Sequence, residues 1–273
     1  MQPITMFETH FKTAQAMLKV YQLLSSEEDL TATNAYVPKL REMMNWEADE
    51  PLTLLLNDMF LGAVRENANV SPTFFGKPNL ALLLRQAVAS SCSAMDVFFP
   101  SLLEAHLSKV VKVRQRNFLP KSGEVKTLFQ DFRLKLDDLP PFLEEQDAEE
   151  RWNLLSRKIL TFCQHKTLSN VEGISAVMMM LGVQEPWHQI AAEAGMQQTA
   201  LQNQIKTAVK RRNDIVHRGD RLIGDTEGQP EPINLAWTKA HVNAVESVAH
   251  VCDALARKSI RNLTEEPETA GAT

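Results

Sequence analysis

The segment KRRNDIVHRGDR, residues 210–221, carries the residue types best able to do chemistry in this chain. Asn213 and His217 are four residues apart, so on a helix they share a face. Arg212 precedes His217 by five residues, which separates the two side chains by about 140° around a helix axis. A histidine can transfer a proton, and a guanidinium can bind a multi-oxygen anion. At an exposed helix end, this pattern predicts chemistry on a phosphodiester.

The element that must position these side chains is a helix with apolar residues at Leu201, Ile205 and Ala208. Gly219 can adopt the left-handed conformation that ends a helix. His217 then lies in the last turn, where the helix dipole favours the imidazolium. Ile215 and Val216 are expected to turn inward and anchor the helix.

A purely structural interpretation of the same residues remains open. Asp214 and Asp220 lie within the segment and would neutralise its arginines, which gives an ordinary charged helix end. Considered without the rest of the sequence, the residue types favour this interpretation.

The distribution of charge is uneven. The net charge of -5, from 29 Lys+Arg against 34 Asp+Glu, argues against binding nucleic acid with the whole surface. Residues 109–121 nevertheless hold five bases and no acid, and residues 206–221 hold six bases and two acids. Two such stretches predict one anion-binding surface if the fold brings them together, and solvated helix ends if it does not. The candidate anion contacts are Lys112, Arg114, Arg116, Lys210, Arg211, Arg218 and Arg221.

Helical spacing dominates the chain, and strand signals are weak, so the predicted fold class is all-α. A long helix is expected over residues 80–113, kinked or broken at Pro100, and another over residues 235–255. The acidic segment 137–150 is expected to be a loop. The predicted organisation is a helical N-terminal extension (1–77), a helical domain (78–262) and a disordered tail (263–273).

Several classes of protein lack support in the sequence. Phosphate-binding glycine loops, dinucleotide-binding loops and serine-hydrolase elbows are absent, and the histidines lack metal-ligand spacing, so neither a cofactor nor a metal is expected. The three cysteines are far apart, which suits a reducing compartment. The longest apolar run, residues 174–183, is half the length that spans a bilayer, and no signal peptide is visible. The expected location is the cytoplasm, without membrane association.

The run from Arg212 to His217 resembles the R-x4-6-H motif of the HEPN superfamily, including the polar residue that follows the arginine. Residues 87–107, in which Asp96 is followed by aromatic residues, are similar to the first long helix of that family. The order of motif, short loop and closing helix from about Ile233 also follows the family. The resemblance covers roughly residues 80–260 and is greatest to the bacterial RiboL-PSP-HEPN-type domains.

This resemblance implies an all-α bundle that dimerises and, in active members, a metal-independent endoribonuclease used as a toxin or in defence against phage. It implies that the ribose 2′-OH attacks the adjacent phosphate, with His217 as acid/base, Arg212 stabilising the transition state and Asn213 as polar helper. Asp96 and Asp214 are supporting residues. Asp96 either braces the motif or is simply a buried carboxylate paired with Arg212 or Arg211. The implied partners are RNA, a second copy of the chain, and an antitoxin or another defence protein.

One position departs from the family pattern. Toxins of this superfamily that are inactivated by nucleotidylation have a tyrosine two positions after the motif histidine, where this chain has Gly219. Control by a nucleotidyltransferase at that position is therefore not expected. Two other functions remain open: a catalytically silent HEPN-fold module that binds RNA or a partner protein, and a helical scaffold with no nucleic-acid role.

Overall fold

The computed structural model describes residues 2–25, 77–114, 123–221 and 230–265. Within these ranges the chain is all-α, as predicted, and its only extended pairing is a bridge between Arg221 and Pro230. No helix there combines the length and apolar character needed to cross a membrane. The helices are α1 (Pro3–Ser25), α2 (Lys77–Arg114), α3 (Gly123–Leu128), α4 (Leu139–Glu144), α5 (Ala148–Cys163), α6 (Val171–Met180), α7 (Pro186–Glu193), α8 (Gln198–Arg218) and α9 (Leu235–Glu265).

Helix α2 is the central element and packs against α1, α5, α8 and α9. Pro100 lies inside this helix, which continues to Arg114, so the expected break is wrong. An interior proline costs about 3 kcal/mol. Phe98, Phe99 and Leu102 beside it are fully buried, and each contributes about 1.5–3 kcal/mol, which offsets that cost.

The N-terminal helix α1 shares its core with the rest of the molecule. Phe7 stacks on Phe11 with ring centroids 4.9 Å apart and meets Phe98 of α2 edge-on at 5.7 Å. Gln15 also donates a 3.0 Å hydrogen bond to Glu246 of α9. The remainder of the predicted extension, residues 26–76, lies outside the described residues.

The acidic segment 137–150 is not a loop, which corrects the prediction from sequence. A short 3₁₀ turn, Leu136–Asp138, leads into α4, and α5 begins at Ala148. Pro140 falls in the first turn of α4, where a missing N–H costs nothing. At the other end of the chain, α9 continues to Glu265, so residues 263–265 of the predicted tail are helical, and residues 266–273 lie outside the described part.

Helix α8 ends where the sequence predicted. Gly219 has φ of 62° and caps the helix, and the Asp220 N–H donates a 2.9 Å hydrogen bond to the Asp214 carbonyl. Ile215 is half-buried, but Val216 is 58% exposed, so its expected inward position is wrong. Val216 lies two turns beyond the buried Val209 on the same side of α8, and the packing that covers Val209 does not extend to Val216.

Candidate functional site

The arginine of the motif is held by a carboxylate on the central helix. Nη2 of Arg212 donates a 2.9 Å hydrogen bond to Oδ2 of Asp96. The other carboxylate oxygen of Asp96 accepts a hydrogen bond from Ser169, a buried residue that precedes α6. Asp96 is 39% exposed, and Arg212 is 18% exposed. The arginine is therefore fixed from its inner side and retains access to solvent.

A buried cysteine lies under this ion pair. Cys92 precedes Asp96 by one turn of α2 and contacts Arg212. Burial raises the pKa of the Cys92 thiol to about 12, although the positive charge of Arg212 acts in the opposite direction. The thiol therefore stays protonated at neutral pH, which excludes it as a ready nucleophile.

The histidine of the motif lies on a different side of the same helix. His217 and Asn213 are both exposed, one turn apart at the end of α8. About 140° around the axis separates His217 from Arg212, which points towards α2. Within one chain, the structure does not bring the two side chains together around a common point.

Arg211 faces the interior, where it belongs to a buried ionic cluster. The Asp220 carboxylate lies 2.6 Å from Nε of Arg211 and 2.5 Å from Nε of Arg85 on α2, and its side chain is fully buried. Arg211 also pairs with Glu231 at 2.9 Å. We call Arg85, Arg211, Asp220 and Glu231 the Asp220 cluster. It joins α2, the end of α8 and the segment before α9, so Arg211 holds the fold and does not offer a free surface cation.

Asp214 and Asp220 neutralise two arginines of the segment, as the purely structural interpretation predicted. Asp220 pairs with Arg211, and Asp214 forms an ion pair with Arg218 one turn later. Arg212 differs, because its partner comes from α2. Lys210 and Arg221 are exposed and form no ion pair with any residue in the described ranges.

In the described part of the chain, the first basic stretch lies away from the motif. Lys112 pairs with Glu149 at 2.8 Å, and the Arg114 guanidinium lies against Gly182. Sixteen residues of α2, or about 24 Å, separate Lys112 from Asp96. The condition for a joint surface, that the fold brings the two stretches together, is therefore not met by Lys112 and Arg114 within a single chain. Arg116 lies outside the described residues.

A groove of about 690 Å³ opens between the last turns of α8 and the start of α9. We call it the basic groove, because four basic and two acidic side chains line it. The basic ones are Lys210, Arg211, Arg218 and Arg221, and the indole of Trp237 forms part of its wall. Among the described residues, no three His, Cys, Asp or Glu side chains cluster in a way that could hold a metal ion.

Sequence reasoning missed four residues of this region: Arg85, Ser169, Glu231 and Trp237. Arg85 carried the clearest signal, because it is a lone charge among the apolar residues of a long helix, and its neighbours Leu84 and Val88 are buried. Such a charge inside a core requires a partner. Ser169 and Trp237 carry no comparable signal, since only the packing of separate helices gives them their contacts.

Comparison with known proteins adds no relative. Neither a protein-family model, nor a curated protein, nor a solved structure matches this chain. The chemistry of the site must therefore be argued from its own side chains.

Proposed function

We propose that the chain is a metal-independent endoribonuclease of the HEPN type. The observation that carries the proposal is the pair between Arg212 and Asp96. An arginine at the end of α8 is anchored to the acidic residue of the long helix, and an exposed histidine follows in the last helical turn. Arg212 is fixed by Asp96, but its side chain is 18% exposed, so the guanidinium remains accessible to a phosphate.

The chemistry follows from the two side chains. The imidazole of His217 takes the proton of a ribose 2′-OH and, as imidazolium, returns a proton to the departing 5′-oxygen. The 2′-oxygen attacks the adjacent phosphorus, and the bond to the 5′-oxygen breaks, which gives a 2′,3′-cyclic phosphate and a 5′-OH. Arg212 stabilises the negative charge that builds on the phosphate oxygens in the transition state. Asn213 orients the histidine or the substrate.

A homodimer would bring an Arg212 side chain and a His217 side chain together at one phosphate. Arg212 and His217 point about 140° apart on one helix, so one chain serves a single phosphate poorly. A two-fold axis beside α8 would bring the histidine of one protomer towards the arginine of its partner. Val216 lies between the two directions and is 58% exposed, and an apolar side chain there suits an interface.

The reaction is tested by its products and its requirements. Full-length protein should cleave single-stranded RNA in excess EDTA and leave 2′,3′-cyclic phosphate ends. DNA of the same sequence should stay intact, because it lacks the attacking 2′-OH. Loss of activity in chelator, or cleavage of DNA, contradicts the proposal, and RNA binding without any cleavage supports the silent module instead.

For the cellular setting, we propose a toxin or an anti-phage effector in the bacterial cytoplasm, held in check by a partner protein. An unrestrained cytoplasmic ribonuclease arrests growth. Induced expression of the wild-type chain should therefore stop cell division within a few generations, whereas His217→Ala should not. Normal growth with wild-type protein at the same level contradicts this setting.

A further inference from the structure

The basic groove has the composition of a nucleotide site. Two of its cations, Lys210 and Arg221, are exposed and have no ion-pair partner among the described residues. The start of α9 forms the opposite side, where Asn234 caps the helix by accepting a 2.8 Å hydrogen bond from the Trp237 N–H. The positive end of a long helix thus adds to the cations across the groove. Together these groups favour an anion such as a phosphate.

The aromatic wall of the groove is held rigidly. His241 stacks on Trp237 with centroids 3.9 Å apart and an angle of 25° between the rings. The His241 ring nitrogen Nδ1 lies 2.7 Å from the Trp237 carbonyl oxygen, and the Arg211 guanidinium lies 5.8 Å from the indole centroid. Trp237 is nevertheless half-exposed. The fixed, partly open indole offers an apolar contact surface with little loss of entropy on binding.

The groove also lies next to the motif. Lys210 and His217 are seven residues apart, which places them within about 20° of each other on α8. A strand of nucleic acid that passes His217 therefore reaches the groove directly.

We propose that the basic groove binds one nucleotide of single-stranded RNA next to the phosphate that is cleaved. Lys210 and Arg221 bind the phosphate of this nucleotide, and its base packs against Trp237. An inorganic anion uses only the cations, whereas a nucleotide also uses the indole and better fills about 690 Å³. The choice of RNA as the source of the nucleotide rests on the proposed function.

The test measures binding of the full-length protein to a labelled 2′-O-methyl oligonucleotide, which lacks the attacking hydroxyl and cannot be cleaved. Lys210→Ala combined with Arg221→Ala should weaken binding at least tenfold. The slope of log affinity against log salt should fall by about 0.7 for each removed cation. Trp237→Leu should weaken binding about tenfold without changing that slope, since base stacking is insensitive to salt. Lys258→Ala, exposed near the far end of α9, is the matched control and should bind as wild type does.

A second arm keeps the test decisive if Trp237→Leu fails to fold, as judged by circular dichroism. Wild-type protein should then bind an oligonucleotide with bases at least fivefold more tightly than an abasic strand of equal charge. If the variant that combines Lys210→Ala with Arg221→Ala binds as tightly as wild type, the proposal is overturned. Equal affinity for abasic and normal strands shows a plain anion site and also overturns it.

The outcome is separable from that of the proposed function. Cleavage of RNA with no effect of these variants on binding rejects the groove and leaves the ribonuclease intact. RNA binding that depends on Trp237, with no cleavage in any condition, supports the groove and rejects the ribonuclease.

Discussion

Arg212 donates a 2.9 Å hydrogen bond to Asp96, which lies 116 residues earlier in the sequence, on the central helix. Ser169 donates to the same carboxylate from a third segment of the chain. The motif arginine is therefore oriented by the fold itself, and in the proposed reaction little reorganisation would remain for the transition state.

Removing the charge of Asp96 should reduce catalysis more than stability. Asp96→Asn keeps the shape of the side chain but weakens its hold on Arg212, and we expect cleavage to fall about 10- to 100-fold. The pair is partly exposed, so the free energy of unfolding should fall by no more than about 1 kcal/mol. Initial cleavage rates and chemical denaturation measure the two effects. Asp131→Asn, which removes the surface pair with Lys166, is the control, and a wild-type rate for Asp96→Asn would contradict this account.

The two aspartates at the end of α8 should differ sharply in their effect on stability. Asp220→Asn leaves Arg85 and Arg211 buried without their shared carboxylate, and we expect a loss of about 3–5 kcal/mol. Asparagine tolerates the positive φ of 66° at this position, so the loss reports the charge and not backbone strain.

Asp214→Asn removes only a pair with Arg218 one turn away and should cost about 0.5 kcal/mol. Urea denaturation of both variants provides the comparison. Equal losses would show that the Asp220 cluster does not hold the end of α8.

The features that the sequence predicted are those with local causes. The end of α8 follows from helical spacing and one glycine, and the buried stripe of Leu201, Ile205 and Ala208 was visible directly. The long helix over residues 80–113 was predicted, but a break at Pro100 was wrongly allowed, because the packing that offsets the proline comes from other helices. Contacts between separate helices could not be predicted from local patterns, and the Asp220 cluster depends on such contacts, because its members come from α2, the end of α8 and the segment before α9. The position of the first basic stretch relative to the motif could not be predicted for the same reason.

Stability should depend on pH through His241, which is buried, and His106, which is half-buried. Burial lowers the pKa of His241 and of His106 below the usual 6.5 in the folded protein. The unfolded chain therefore binds more protons near pH 6, so the stabilisation is present above pH 6.5 and is lost as the pH falls below it. His241→Gln should show a smaller drop in melting temperature between pH 7.5 and 5.5 than wild type. An identical drop in both proteins would contradict this assignment for His241.

The proposed dimer should place α8 beside a two-fold axis. Val216→Cys then brings two new thiols close together, and mild oxidation should give a disulfide-linked dimer. The native cysteines Cys92, Cys163 and Cys252 are buried, so they should not compete. Wild-type protein should be dimeric by light scattering at micromolar concentration. A monomer that cleaves RNA, or Val216→Cys protein that stays unlinked, would refute this arrangement.

The most direct measurement is the rate of RNA cleavage by His217→Ala beside that of wild type. In the proposed reaction the exposed imidazole of His217 supplies proton transfer, so its loss should slow cleavage by about 10²- to 10⁴-fold. The circular dichroism spectrum and the melting temperature should stay unchanged, because no core cavity forms. His188→Ala, at another exposed histidine on α7, should cleave like wild type. Equal cleavage by wild type and His217→Ala would contradict the assignment of ribonuclease chemistry to this motif.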